Sequence, residues 1–206
     1  MIKKILLLVL VSLTFQTIRS QEIYFNTGKN YTSYSFNDSS NNSSKFKLQS
    51  GNGNFYEIGY TMPLDFQNFN YSVGLCLNEF NAVGNSLTNS YAWDTDYLGL
   101  TNALNFTFFN NDNFDISVKG GFGVSTIIYG KQKINDTYLD LISQKEFSGV
   151  FVQPLIGLQT KYNISNDNYL SFGYNFSKSI NLFNKTDEHL SFNNHQLQFG
   201  IHFITN

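Results

Sequence analysis

Apolar residues recur at every second position along most of this chain, and few folds accommodate that pattern over such a length. A strand sends successive side chains to opposite faces, so period two means a sheet with one apolar and one polar face. The last run shows it best: Leu197, Phe199, Ile201 and Phe203 alternate with Gln196, Gln198, Gly200 and His202. Leu170, Phe172, Tyr174 and Phe176 alternate in the same way with Ser171, Gly173, Asn175 and Ser177. Comparable runs cover 56–62, 71–78, 98–108, 114–124 and 150–161, and a weaker one covers 23–36. Eight strands are expected. Two runs break the rule: Asn102 stands on an apolar face, while Phe151 and Leu155 fall on the polar side of theirs.

The links between runs carry a second signal. Residues 65–68, 110–113 and 165–168 form short polar links, whereas 37–54, 80–94, 129–146 and 184–193 are longer. Long and short alternate strictly, beginning and ending with long. Outer-membrane barrels combine an even strand number with short periplasmic turns and longer extracellular loops. An even number also leaves both termini on the short-turn side.

Alternation does not say which face is outside, because a soluble lipocalin-like carrier barrel shares the period with its apolar face inward. Composition separates the two. Charged residues make up 14% of the chain, against about 25% in ordinary soluble domains. The polar face is built mainly of Gly, Ser, Thr, Asn and Gln, and the chain holds 21 Phe and 13 Tyr. A Lys or Arg at mid-bilayer costs about 2–4 kcal/mol on a barrel's lipid face, so such a face avoids charge. The expected fold is therefore all-β: an eight-stranded antiparallel up-and-down transmembrane β-barrel over residues 21–206, with the soluble carrier as the alternative. Closure satisfies every backbone group within the protein, as hydrocarbon demands. Pro154 removes one ladder donor and is expected at a bulge or near the membrane boundary. Gly120, Gly121 and Gly123 are expected to mark a tight bend or a crowded lumen.

The N-terminus fixes the route. Lys3 and Lys4 precede a largely apolar run, 5–15, and a polar stretch that ends at Ser20. This is the layout of a secretory signal peptide, residues 1–20, cleaved before Gln21. The run is shorter than the roughly 20 residues a spanning helix needs. With one cysteine, Cys76, no internal disulfide can form, and the residue is expected to be an ordinary strand position. A net charge of −2 argues against a nucleic-acid partner, which calls for a basic face.

Few residues carry candidate chemistry. Parity places Glu57, Lys119 and Lys161 on the inward face, where Glu57 pairing with Lys119 or Lys161 would form a polar network plugging a narrow lumen. His189, His195 and His202 lack partners at metal-site spacing, and His202 is expected to point inward. His189 and Ser191 form a His-x-Ser pair that resembles the nucleophile region of outer-membrane lipid A deacylases. The downstream glutamate of those enzymes is missing, and Glu188 is expected to point the wrong way, so no catalysis is expected. No cofactor or metal site is expected. Residues 37–44 (Asn-Asp-Ser-Ser-Asn-Asn-Ser-Ser) read as a low-complexity loop tip.

The export segment ending before Gln21, the Asn- and Phe-rich strands and the terminal strand 195–204 together resemble the Bacteroidota outer membrane β-barrel proteins of the porin family, including PorT-like ones. The chain departs from many barrels at its end, where Ile204, Thr205 and Asn206 follow Phe203. The resemblance implies an outer membrane location, lipid contacts, and an envelope or secretion-system protein as partner. The expected role is structural or interactive and non-enzymatic, carried by the long loops of a monomer. A narrow passive channel is the alternative.

Overall fold

The computed structural model describes residues 21–37, 49–85, 90–134, 137–165, 167–181 and 189–205. Residues 1–20, expected to be a signal peptide, the Asn/Ser-rich stretch 38–48 and the part of the last long link containing Glu188 lie outside the described residues, as does the side chain of His189. The strands are β1 (Gln21–Asn37), β2 (Gln49–Pro63), β3 (Phe69–Glu79), β4 (Ala82–Asn85), β5 (Ser90–Asn110), β6 (Phe114–Ile134), β7 (Thr137–Asp140), β8 (Val150–Ser165), β9 (Asn168–Asn181) and β10 (His189–Thr205). Eight of them close a ring in the order β1-β2-β3-β5-β6-β8-β9-β10, with β10 antiparallel to β1 from Gln21↔Thr205 to Asn37↔His189. Every neighbouring pair is antiparallel and joined in sequence order. This is the up-and-down barrel that the alternation implies.

Register fixes the barrel's shape. Stepping across the ladder from Phe25 leads through Ile58, Leu75, Leu100, Val124, Val152, Ile180 and Ser191, and returns to β1 at Ser35. The return point lies ten residues beyond the start. A ten-residue stagger at about 3.3 Å per residue, over eight spacings of about 4.8 Å, tilts the strands by about 40°. At that size the interior holds side chains and little else.

The faces divide as the composition requires. Phe25, Ile58, Leu75, Leu100, Phe122, Ile156, Phe172 and Phe199 are exposed on the outside. Asn26, Glu57, Ser117, Lys119, Asn175, Gln196 and Gln198 are buried inside. The soluble carrier alternative requires the reverse and does not describe this barrel. Asn102, the exception on its apolar face, accepts a hydrogen bond from the Tyr71 hydroxyl at 2.6 Å, so its amide oxygen is satisfied on the outer surface.

Three links are short: 64–68, where Asn68 has φ 65°, 111–113, and the one between the end of β8 at Ser165 and the start of β9 at Asn168. At the opposite end, strands replace much of what sequence reads as loop. Link 80–94 is largely β4 and the start of β5, and link 129–146 contains the end of β6 and all of β7. Pro154 makes no bulge. Its neighbours keep one register, Val152↔Ile180 and Leu155↔Ser177, while the pairing to β9 lapses at positions 153 and 154. The imino nitrogen simply leaves a gap in the ladder. Of the glycines singled out, Gly121 is crowded, with a hypothetical Cβ 2.1 Å from the Asn102 carbonyl oxygen, whereas Gly120 faces open space.

Candidate functional site

Among the described residues polar side chains gather in the lumen, and its contents fall into three layers. At the short-turn end Lys161 donates to both carboxylate oxygens of Glu22 at 2.7 Å. His202 Nδ1 lies 2.5 Å from Glu22 Oε1, and Nε2 lies 2.7 Å from Ser171 Oγ. A neutral ring that donates from Nδ1 to the carboxylate accepts at Nε2 from the serine hydroxyl, so both nitrogens are satisfied. Tyr24 stacks on the His202 ring at 5.5 Å and reaches across its cross-strand neighbours Gly59 and Gly74. A Cβ on Gly59 would stand 2.3 Å from the Tyr24 hydroxyl, and one on Gly74 would stand 2.5 Å from Glu57 Oε1. Glycine at both positions makes room for the tyrosine and the carboxylate.

The middle layer is made of amides. Asn30 donates to Asn78 Oδ1 at 3.1 Å, and its own Oδ1 accepts from Asn194 and Gln196, each at 2.9 Å. Gln196 Oε1 accepts from Asn175 at 3.1 Å and from Gln198 at 2.5 Å. Asn30, Asn78, Asn194 and Gln196 each both donate and accept, so neutral side chains cross the lumen without buried charge.

The third layer is aromatic and lies toward the long links. Tyr34, Phe80, Tyr97, Phe151, Leu190 and Phe192 pack into a buried cluster. Ring centroids lie 4.7 Å apart for Phe80 and Phe192, and 4.9 Å apart for Tyr34 and Phe192. Tyr34 donates to the Phe80 carbonyl at 2.7 Å, and Thr95 donates to the same oxygen. Segment 141–149 folds down onto the cluster through Leu141 and Phe147, both buried. Phe147 meets Trp93 edge-on at 4.9 Å. In this layer the polarity of the wall is reversed. On β10 Leu190 and Phe192 face in while Ser191 and Asn193 face out, whereas lower down Gln196 and Gln198 face in while Leu197 and Phe199 face out. On β5 Trp93 and Tyr97 face in against Asp94 and Asp96 outside. A wall built this way matches a water-soluble barrel, so the strands continue above the apolar belt into a polar setting.

Glu57, Lys119 and Lys161 all line the lumen, but are not paired as expected. Lys161 binds Glu22, not Glu57. Glu57 is buried at 1% exposure and accepts from Asn26 Nδ2 at 3.2 Å, and no ion pair joins it to Lys119 or Lys161. The reason is position: parity sets the face but not the height, and the tilt of the strands brings Lys161 level with the start of β1. Sequence reasoning missed Glu22, although it shares the parity of Tyr24 and Asn26. It also missed the aromatic layer, whose signal was the phase reversal around Phe151. His202 points inward as expected. Ser191 lies on the outward face of β10, and Glu188 falls outside the described residues. No cluster of His, Cys, Asp and Glu suited to a metal occurs among the described residues.

A closed eight-stranded barrel with an apolar exterior, short turns at the terminal end and a side-chain-filled lumen is the outer-membrane type of β-barrel. No family model matches the chain, and no curated protein matches it in sequence. Solved structures do match. The outer membrane protein OprG from Pseudomonas aeruginosa superposes with a TM-score of 0.58 at 11% identity, covering 90% of this chain and 97% of that one. Neisserial surface protein A gives 0.52 at 8% identity, covering 89% of this chain and 97% of the other. At such identities the likeness establishes the fold.

Proposed function

We propose that this chain is a non-enzymatic outer membrane β-barrel whose role is structural or interactive and is carried by its long-link end. The observation that supports this most is the closed lumen: ion pairs, then amides, then a packed aromatic layer occupy it in turn. A side-chain-filled interior has no aqueous path, which disfavours the narrow passive channel. The β6–β7 hairpin at the long-link end exposes Tyr138 and Leu139, with Ile142 just beyond. Apolar side chains held on a firm base suit a protein partner more than open water does. In this reading the short-turn end faces the periplasm, the apolar belt contacts outer membrane lipids, and the barrel is a monomer reached by export with cleavage before Gln21. The resemblance to Bacteroidota porin-family and PorT-like barrels extends the proposal to an envelope or secretion-system protein as the partner. No catalytic role is proposed for Ser191, which lacks an oriented base among the described groups.

Two measurements test this. Membrane fractions run on SDS gels with and without boiling should show a heat-dependent mobility shift. Purified protein in planar bilayers should give no discrete conductance steps. Recovery only in soluble fractions would remove the membrane assignment, and regular conductance steps would replace the interaction role with a channel.

A further inference from the structure

The aromatic layer closes one end of the lumen, but the short-turn end holds a cavity of about 140 Å³. Space of that size admits on the order of ten waters or one small solute. Its wall includes Glu22, Asp115, Ser117, Lys119, Lys161 and His202. Glu22 is engaged by Lys161 and His202. Lys119 differs from Glu22, Lys161 and His202. It is 5% exposed, yet its ammonium makes no hydrogen bond or ion pair with any described residue. The residue is enclosed by the barrel but lines the cavity, so an acceptor for its ammonium has to come from what the cavity holds.

The surroundings say what Lys119 can receive. Glu57 lines a separate, smaller space of about 30 Å³ deeper in the barrel and is not part of the larger cavity's wall. Lys119 belongs to the walls of both spaces, so it stands between the open cavity and the Glu57 carboxylate. Asn105 is its cross-strand neighbour and donates to Ser72 Oγ at 3.1 Å. Ser117 lies one step toward the mouth on the same face of β6. The two carboxylates in the wall are Glu22, neutralised by its partners, and Asp115, which stands at the mouth opposite Lys161 on β8.

We infer that this cavity binds a small oxyanion, the carboxylate or phosphate group of a soluble solute entering from the short-turn end, with the Lys119 ammonium as its anchor. The inference goes beyond the interaction role and does not depend on which partner the opposite end meets. A dead-end cavity under a closed lumen makes this a binding site and not a transport route. Its size excludes a lipid acyl chain, so the anion belongs to a free solute.

The test uses the refolded barrel in neutral detergent, titrated with inorganic phosphate and separately with acetate, at constant ionic strength set by sodium chloride. Amide chemical shifts of 115–119 and 157–161 report on the cavity. Saturable shifts with at least one of the two anions are expected, weakened tenfold or more in Lys119→Met while the heat-dependent gel shift persists. Urea midpoints supply the second readout, and removing an unpaired buried charge should leave the midpoint unchanged or raised. Linear, unsaturable responses to both anions would overturn the site. So would a Lys119→Met variant that keeps the full response, or one whose midpoint falls while its anion response is unchanged. The last result would make Lys119 a structural partner of Glu57.

Discussion

Glu22 shows how a charged side chain survives inside a narrow barrel: it holds two partners at once, and both are anchored on distant strands. Lys161 comes from β8 and His202 from β10, so one carboxylate ties β1 to the opposite wall and to its closing neighbour. Breaking a buried pair from one side leaves an uncompensated charge, which costs more than removing both charges. Lys161→Met should therefore lower stability by about 1–3 kcal/mol, the range for stranding a buried polar or charged group near open space. The double variant Glu22→Gln with Lys161→Met should lose less than the two single losses added together, as read from urea midpoints in a double-mutant cycle. Additive losses would show that the two residues act independently. Sequence disclosed part of this site. Parity put Lys119, Lys161, Glu57 and His202 inside, but partner choice depends on height around a tilted ring, and parity carries no height.

At the level of the strand, β8 holds the one interruption in the β8–β9 ladder that falls far from a turn. Pro154 lies on the outer face opposite Phe122, and the pairing toward β9 is missing at 153 and 154 with the register intact on both sides. A proline lacks the donor that the ladder needs, so the carbonyl of Lys178, the residue opposite it in this register, is left without its ladder partner. Pro154→Val supplies the N–H and a β-branched side chain suited to a strand. It should raise stability by about 0.5–1.5 kcal/mol, the net worth of one hydrogen bond, seen as a higher urea midpoint and slower amide exchange at Lys178, the residue opposite 154. An unchanged or lowered midpoint would mean that the gap is imposed by the neighbouring strands. The alternation in Leu197–Phe203 and Leu170–Phe176 was legible because lipid and lumen impose opposite demands on alternate residues. Phe151 and Leu155 blurred β8 because Phe151 belongs to the aromatic layer, where those demands are exchanged, and Leu155 lines the small inner space. The same exchange made the starts of β4 and β5 look like loop.

The molecule as a whole is two environments stacked on one ring of strands. Below, the wall is apolar outside and polar inside; above, it is polar outside around an aromatic core. The two halves should respond differently to the same substitution on the same strand. Phe192 is 1% exposed inside the aromatic layer, whereas Phe199, on β10 as well, is 52% exposed on the outer face. Truncating a phenylalanine packed among rings leaves a cavity that the surrounding wall cannot fill, at about 3–5 kcal/mol. Around Phe199 the neighbours are lipid or detergent chains, which close over a smaller side chain, so Phe199→Ala forfeits contact area without leaving a void. Phe192→Ala should therefore destabilise the barrel at least about 1 kcal/mol more than Phe199→Ala in the same bilayer, measured by reversible urea unfolding in vesicles. Equal losses would mean that the upper layer is as pliant as lipid. The long-link end would then lack the packed support on which its proposed interaction role depends.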